Sequence, residues 1–145
     1  MAVNYVTQTV APVADGSPPT TRTVALVGSY GNAVGDGTTD DTTAIQSALN
    51  LGVDVFLPPG AYKITSSLNY TVAGQRLIGS GISDCSLVFA NGTSDGLTCN
   101  GLNSCTLENI KLTGSGKTGG ALLKVTGGAY LFRASGIYWN AAYNG

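Results

Sequence analysis

The chain has 145 residues, 21 of them glycine, with seven basic and eight acidic side chains and no histidine. One domain fits that length, seven dispersed cations make no phosphate-binding patch, so no nucleic-acid partner is expected, and without histidine neither a Ser-His-Asp triad nor a histidine zinc site can be built. The 43% hydrophobic content argues against disorder, and no apolar run approaches the ~18 residues of a membrane span, so no membrane insertion is expected.

Residues 1–29 read as an arm. Val3-Asn4-Tyr5-Val6-Thr7-Gln8-Thr9-Val10 alternates like an extended strand, Asp15-Gly16-Ser17-Pro18-Pro19 breaks the chain, and Val24-Ala25-Leu26-Val27 is a second short apolar run. Such an arm is too short for its own core and needs something to pack against. Residues 1–10 hold no basic side chain, and Asn4, Thr7, Gln8 and Thr9 interrupt any apolar stretch. No secretory signal is therefore expected, and synthesis starts in a cytoplasm.

Residues 30–52 hold a loop and the one convincing helix. Thr38-Thr39-Asp40-Asp41 offers N-cap oxygens, with Asp40 the expected cap and Asp41 beside the positive helix end. Ala44, Ile45, Ala48 and Leu49 recur at helical spacing over residues 42–51, and Gly52 stands where a C-cap glycine belongs.

From Val53 onward the period becomes that of strands. Val53-Asp54-Val55-Phe56-Leu57 is stopped by Pro58-Pro59-Gly60, and Tyr62, Ile64, Leu68, Tyr70 and Val72 continue in short pieces. Further short strands are expected at Arg76–Ile78, Ser86–Phe89, Leu97–Cys99, Cys105–Leu107, Ile110–Leu112, Leu122–Val125, Ala129–Phe132 and Ile137–Trp139. Leu97-x-Cys99-x-Gly101 returns as Leu123-x-Val125-x-Gly127, and Ile110-x-Leu112 as Ile137-x-Trp139, offsets in the mid-twenties. That recurrence predicts a parallel β-solenoid. The rival is an antiparallel sandwich turning at Asn91-Gly92 and Asn100-Gly101.

The motifs that suggest chemistry have plainer explanations. Gly79-Ser-Gly81-Ile-Ser-Asp84 lacks the third glycine and the following helix of a dinucleotide loop, and Gly114-Ser-Gly116-Lys117-Thr118 has Lys111 where a phosphate loop needs its first glycine. Both are expected to be ordinary turns, the second exposed to solvent. Asn69-Tyr-Thr71 and Asn91-Gly-Thr93 fit the glycosylation triplet but suit turns equally well. Cys85, Cys99 and Cys105 are expected to be buried apolar fillers. Asp84 and Glu108, 24 residues apart, form a candidate acid pair one coil apart for sugar hydrolysis, and Asp95 has no acidic partner a coil on. Surface solvation is the expectation for all three. Tyr130, Tyr138, Trp139 and Tyr143 could stack on sugar rings, although core or interface packing is the commoner use. No catalytic residue, cofactor ligand or metal ligand is assigned.

Tyr30-Gly-Asn-Ala-Val-Gly35-Asp-Gly-Thr-Thr-Asp40-Asp-Thr-Thr-Ala-Ile45-Gln-Ser-Ala-Leu49, followed by Val55-Phe-Leu-Pro58-Pro-Gly60-Ala-Tyr62 and Leu77-Ile-Gly-Ser-Gly81, closely resembles the opening of the pectate-lyase superfamily. That superfamily of right-handed parallel β-helices includes pectate lyase-like enzymes, polygalacturonase-like hydrolases and many bacteriophage tailspikes. Asn32 is an extra residue in the usual run. The resemblance implies an all-β, right-handed parallel β-helix with a short N-terminal capping α-helix and first rungs over residues 53–145. It carries over no catalytic residue, since such residues lie on later coils or between subunits.

The resemblance and the polar arm together lead to an expected role. The chain is read as the N-terminal segment of a phage tailspike, truncated after three to four rungs and inactive alone. Its arm, residues 1–29, contacts virion tail or baseplate proteins or the other subunits of a homotrimer. Its β-helix presents a surface that binds, in a depolymerase parent, a bacterial surface polysaccharide, with localisation in the virion after assembly in the host cytoplasm. A monomeric polysaccharide lyase or hydrolase is the alternative, and an adhesive solenoid without chemistry is a third.

Overall fold

A computed structural model describes the backbone of residues 5–10 and 20–26 and the whole of residues 33–143, except the side chains of 141–143. Two strands of the arm, β1 (Tyr5–Val10) and β2 (Thr20–Leu26), pair antiparallel. Every other strand pair is parallel, and the strands wind into a β-solenoid of about four turns. The antiparallel sandwich is thereby excluded.

The first complete coil is β4 (Asp54–Leu57), β5 (Gly60–Ile64) and β6 (Leu68–Asn69). The second is β7 (Arg76–Gly79), β8 (Cys85–Phe89) and β9 (Leu97–Asn100). In the third, β10 (Thr106–Lys117) bends at Asn109, whose φ is 52°, so one strand serves two faces before β11 (Leu123–Thr126) forms the third. The last, β12 (Arg133–Tyr143), bends likewise at Gly136. Before the first coil, β3 (Asp36–Asp40) pairs with β5, and β2 runs parallel to β4 with Val24 opposite Asp54. The backbone of residues 24–26, in the arm's second apolar run, thus pairs with the first coil.

Register repeats the sequence echo residue for residue. Leu97 stands opposite Leu123, Cys99 opposite Val125 and Ile110 opposite Ile137. Alternation then sends one set of side chains into the lumen. Leu57, Ile64, Leu68, Leu77, Leu87, Phe89, Leu97, Leu107, Ile110 and Leu112 are fully buried in one continuous cluster with all three cysteines. The cysteines are free thiols, in keeping with their reading as fillers, and burial pushes the Cys85 thiol up to about 11.

The helix α1 (Thr42–Leu49) buries Ala44, Ile45, Ala48 and Leu49 against the first coil. Its capping differs from expectation: Asp41, not Asp40, occupies the N-cap position. The Asp41 carboxylate turns away to accept the N–H groups of Val34 (2.7 Å) and Gly35 (3.0 Å), which leaves Asp40 to accept the N–H of Thr42 at 3.0 Å. The helix ends at Leu49, short of 51, and Gly52 follows at φ 70° as the expected glycine stop. Buried Gln75 ties this end to the coils by donating to the carbonyls of Leu49 (2.8 Å) and Val53 (2.9 Å).

Two further expectations are corrected. Ala129–Phe132 is no strand, because Gly127, Gly128 and Leu131 all take positive φ and turn the chain instead. Gly114–Thr118 is exposed at Ser115, Gly116 and Thr118 as expected, but it is no plain turn: residues 114–117 belong to β10, where a register shift between Gly114 and Lys117 aims the lysine inward. Its side chain is fully buried.

Candidate functional site

No sugar-cleaving pair emerges at Asp84 and Glu108. Asp84 lies in the corner loop between β7 and β8, just before Cys85, while Glu108 lies on the preceding face opposite Ile78 and Ser135. The one-coil offset on that face is longer than the 24 residues separating the two acids. Glu108 instead accepts from the Arg76 guanidinium at 2.7 Å, and the Arg76 N–H donates to Asp54 at 3.0 Å. Asp54, Arg76 and Glu108 therefore form a ladder of alternating charge across three coils. This ladder is structural in character, and sequence reasoning passed over it because its members are spaced by different intervals.

Asp95 is also engaged. It accepts from Lys124 at 2.7 Å and from the Ala121 N–H at 3.0 Å, and the Lys124 hydrogen bond holds its pKa low. Asp40 is held low chiefly by the Thr42 and Thr65 hydroxyls, and Asp36 well below the usual carboxylate range by the N–H of Thr39 and then of Thr38. A general acid for glycoside cleavage needs a raised pKa. The carboxyls whose titration departs from the ordinary value all move the other way.

Lys117, from the phosphate-loop look-alike, is a clamp inside the fold. Its ammonium donates to Asn91 Oδ1 at 2.7 Å and to the Ser94 carbonyl at 2.5 Å, one coil below. Burial lowers its pKa, and Asp95 partly opposes that effect. Asn91, so engaged, is buried and unlike a glycosylation acceptor, whereas Asn69 is exposed and bonds the Thr98 hydroxyl. Gly79 of the dinucleotide look-alike ends β7 and packs against the backbone of Asn109.

The aromatic candidates separate by direction. Trp139 continues the inward column Tyr62–Leu87–Leu112, yet it is 49% exposed because it lies on the last described coil. Tyr138 points outward, 52% exposed, with the Lys111 ammonium 5.4 Å from its ring centre. Tyr130 is exposed in the turn before β12, and the Tyr143 side chain lies outside the described residues. An open hollow of about 330 Å³ between the end of α1 and residues 72–75 is lined mostly by small and apolar residues, with Asp54 its one charged member. No cluster of three metal-ligating side chains occurs among the described residues. The outer faces of the coils, with hydroxyl, amide, lysine and tyrosine side chains in columns, remain as the surface equipped to bind.

Residues 27–87 match one family model: rhamnogalacturonase A/epimerase, pectate lyase-like. The chain forms a parallel β-solenoid, of which residues 27–87 are similar to that pectate lyase-like family. Among solved structures it is similar to ORF18 of Geobacillus virus E2, with 26% identity and a TM-score of 0.60 over 71% of this chain and 24% of that one. The pre-mature gene product 12 of bacteriophage phi29 is similar at 20% identity and TM-score 0.68, over 79% of this chain and 17% of that one. The A-module of the Azotobacter vinelandii mannuronan C-5 epimerase AlgE6 is similar at 18% identity and TM-score 0.54, over 80% and 40%. The last two likenesses concern the fold. The chain spans about a quarter, a sixth and two fifths of these three proteins. No curated protein matches it.

Proposed function

We propose that the chain is part of a phage tailspike-like protein of the virion, whose arm, residues 1–29, attaches to tail or baseplate proteins and whose β-helix binds a bacterial surface polysaccharide as a homotrimer. The likeness to ORF18 of Geobacillus virus E2 carries this reading. Binding is the role proposed for these coils, and no residue of theirs is assigned to cleavage. The family match over residues 27–87 supports a second reading, a monomeric polysaccharide-acting enzyme.

Light scattering of the purified chain over a range of concentrations tests the pair of readings, alongside incubation with host-envelope polysaccharide. A trimer that retains the polysaccharide without releasing new sugar ends agrees with the tailspike reading. A monomer that releases reducing or unsaturated ends overturns it in favour of the enzyme.

A further inference from the structure

The outer face of β5, β8, β10 and β12 carries chemistry that the core does not use. Because Tyr62, Leu87, Leu112 and Trp139 point inward, the residues before them, Ala61, Ser86, Lys111 and Tyr138, form an outward column. Two residues further along lies a second outward column, Lys63, Val88, Thr113 and Asn140. None of the ion pairs among the described residues involves Lys111, whose recorded partner is the Tyr138 ring. The other described lysines differ. Lys124 pairs with Asp95, Lys117 is enclosed by Asn91 and Ser94, and Lys63 donates to the Thr38 carbonyl at 3.3 Å beside Asp40 at the sheet edge.

We propose that this face binds an acidic polysaccharide, a saccharide anion resting on the Lys111 ammonium and a sugar ring on the open side of Tyr138. The inference rests on the polysaccharide-binding reading above and names the class of polymer. An exposed cation–π contact is weak, so the ammonium keeps donors for an anion, and a charge-assisted hydrogen bond is the stronger interaction. Tyrosine presents an apolar ring face and a polar tip, which suits a ring with C–H groups on one side and hydroxyls at its rim. Ser86, one rung from Lys111 at about 4.8 Å, and Thr113 and Asn140, two residues along the strands of Lys111 and Tyr138, stand around this pair with donors and acceptors for those hydroxyls. The chain as a whole is near neutral. The attraction is therefore local to this face.

The test is retention of the full chain on immobilised polygalacturonate, alginate and dextran sulfate, against neutral dextran and mannan. Preferential retention on at least one acidic polymer is expected, weakening with added salt. It should fall roughly tenfold in Lys111→Met and also fall in Tyr138→Ala. Lys124→Met, altered on another face, should retain like the parent. Lys111→Gln decides the matter if Lys111→Met fails to fold. Equal retention on neutral and acidic polymers, unchanged by Lys111→Met, overturns the inference and leaves polysaccharide binding standing. Retention on none of the five overturns both.

Discussion

Leu112 and Trp139 occupy one column of the lumen, one coil apart, yet Leu112 is fully buried and Trp139 half exposed. The same step separates buried Cys99 from Val125, which is 41% exposed. The larger side chain is the exposed one in the first pair. Residue type therefore does not decide burial here; the number of coils stacked on a position does. In a solenoid each rung's core is completed by its neighbours, so an inward position on the last described coil is packed on one side alone.

The largest effect should come from emptying the covered position. Leu112→Ala is expected to cost about 2–5 kcal/mol, read as a drop in the urea midpoint of the chain. Trp139→Ala should cost less than half of that, although it removes more atoms, because much of its surface already faces water. Equal losses would break the comparison.

The corners should be nearly as sensitive as the covered columns. A Cβ on Gly79 would lie 2.5 Å from the Asn109 carbonyl oxygen, a backbone atom on the coil above. Gly79→Ala is expected to cost about 1–3 kcal/mol by forcing the two coils apart. Thermal unfolding followed by circular dichroism would register it. A substitution of Gly74, where a Cβ meets nothing within 4 Å, pays only the strain of its φ of 76°, and so separates crowding from backbone conformation.

This stacking logic also explains which features were legible in the sequence. The mid-twenties echo gave the register because a residue and its successor one coil later share the same lumen slot, so Ile110 and Ile137 face the same neighbours. The helix was legible because its apolar stripe is local. Lys117 was misread since its burial depends on a bulge and on two acceptors, Asn91 and Ser94, that are distant in sequence. The Asp54–Arg76–Glu108 ladder was missed for a related reason: its members stand on three coils at unequal spacing. Tyr138 and Trp139 are adjacent in sequence and face opposite ways, which only the register decides.

The buried clamp offers a smaller test of the interior. Lys117→Met leaves Asn91 Oδ1 and the Ser94 carbonyl without their donor, and about 1–2 kcal/mol of stability should go with it. The folded-state pKa of Lys117 is lowered, so the folded chain gives up this proton more readily than the unfolded one. Its contribution to stability accordingly rises as pH climbs through the folded value toward the ordinary 10.5. Urea midpoints measured from neutral to alkaline pH should show that gain in the parent and lose it in the Met variant.

The smallest expected effect is at the edge of the helix-bearing end. The Asp40 carboxylate accepts from the Thr65 hydroxyl at 2.6 Å and from Thr42, linking β3, α1 and the turn after β5. Its pKa is depressed in the folded state, so its stabilisation is fully present above the ordinary value of 3.8 and is lost as pH falls through the folded one. Asp40→Asn should lower the unfolding midpoint slightly at neutral pH, and the gap from the parent should close as pH falls below the ordinary 3.8 and through the folded value. Asp40 is exposed, so the gap at neutral pH should also narrow with added salt. A gap that persisted unchanged into acid would mean that Asp40 contributes shape, not charge, to the junction between α1 and the first coil.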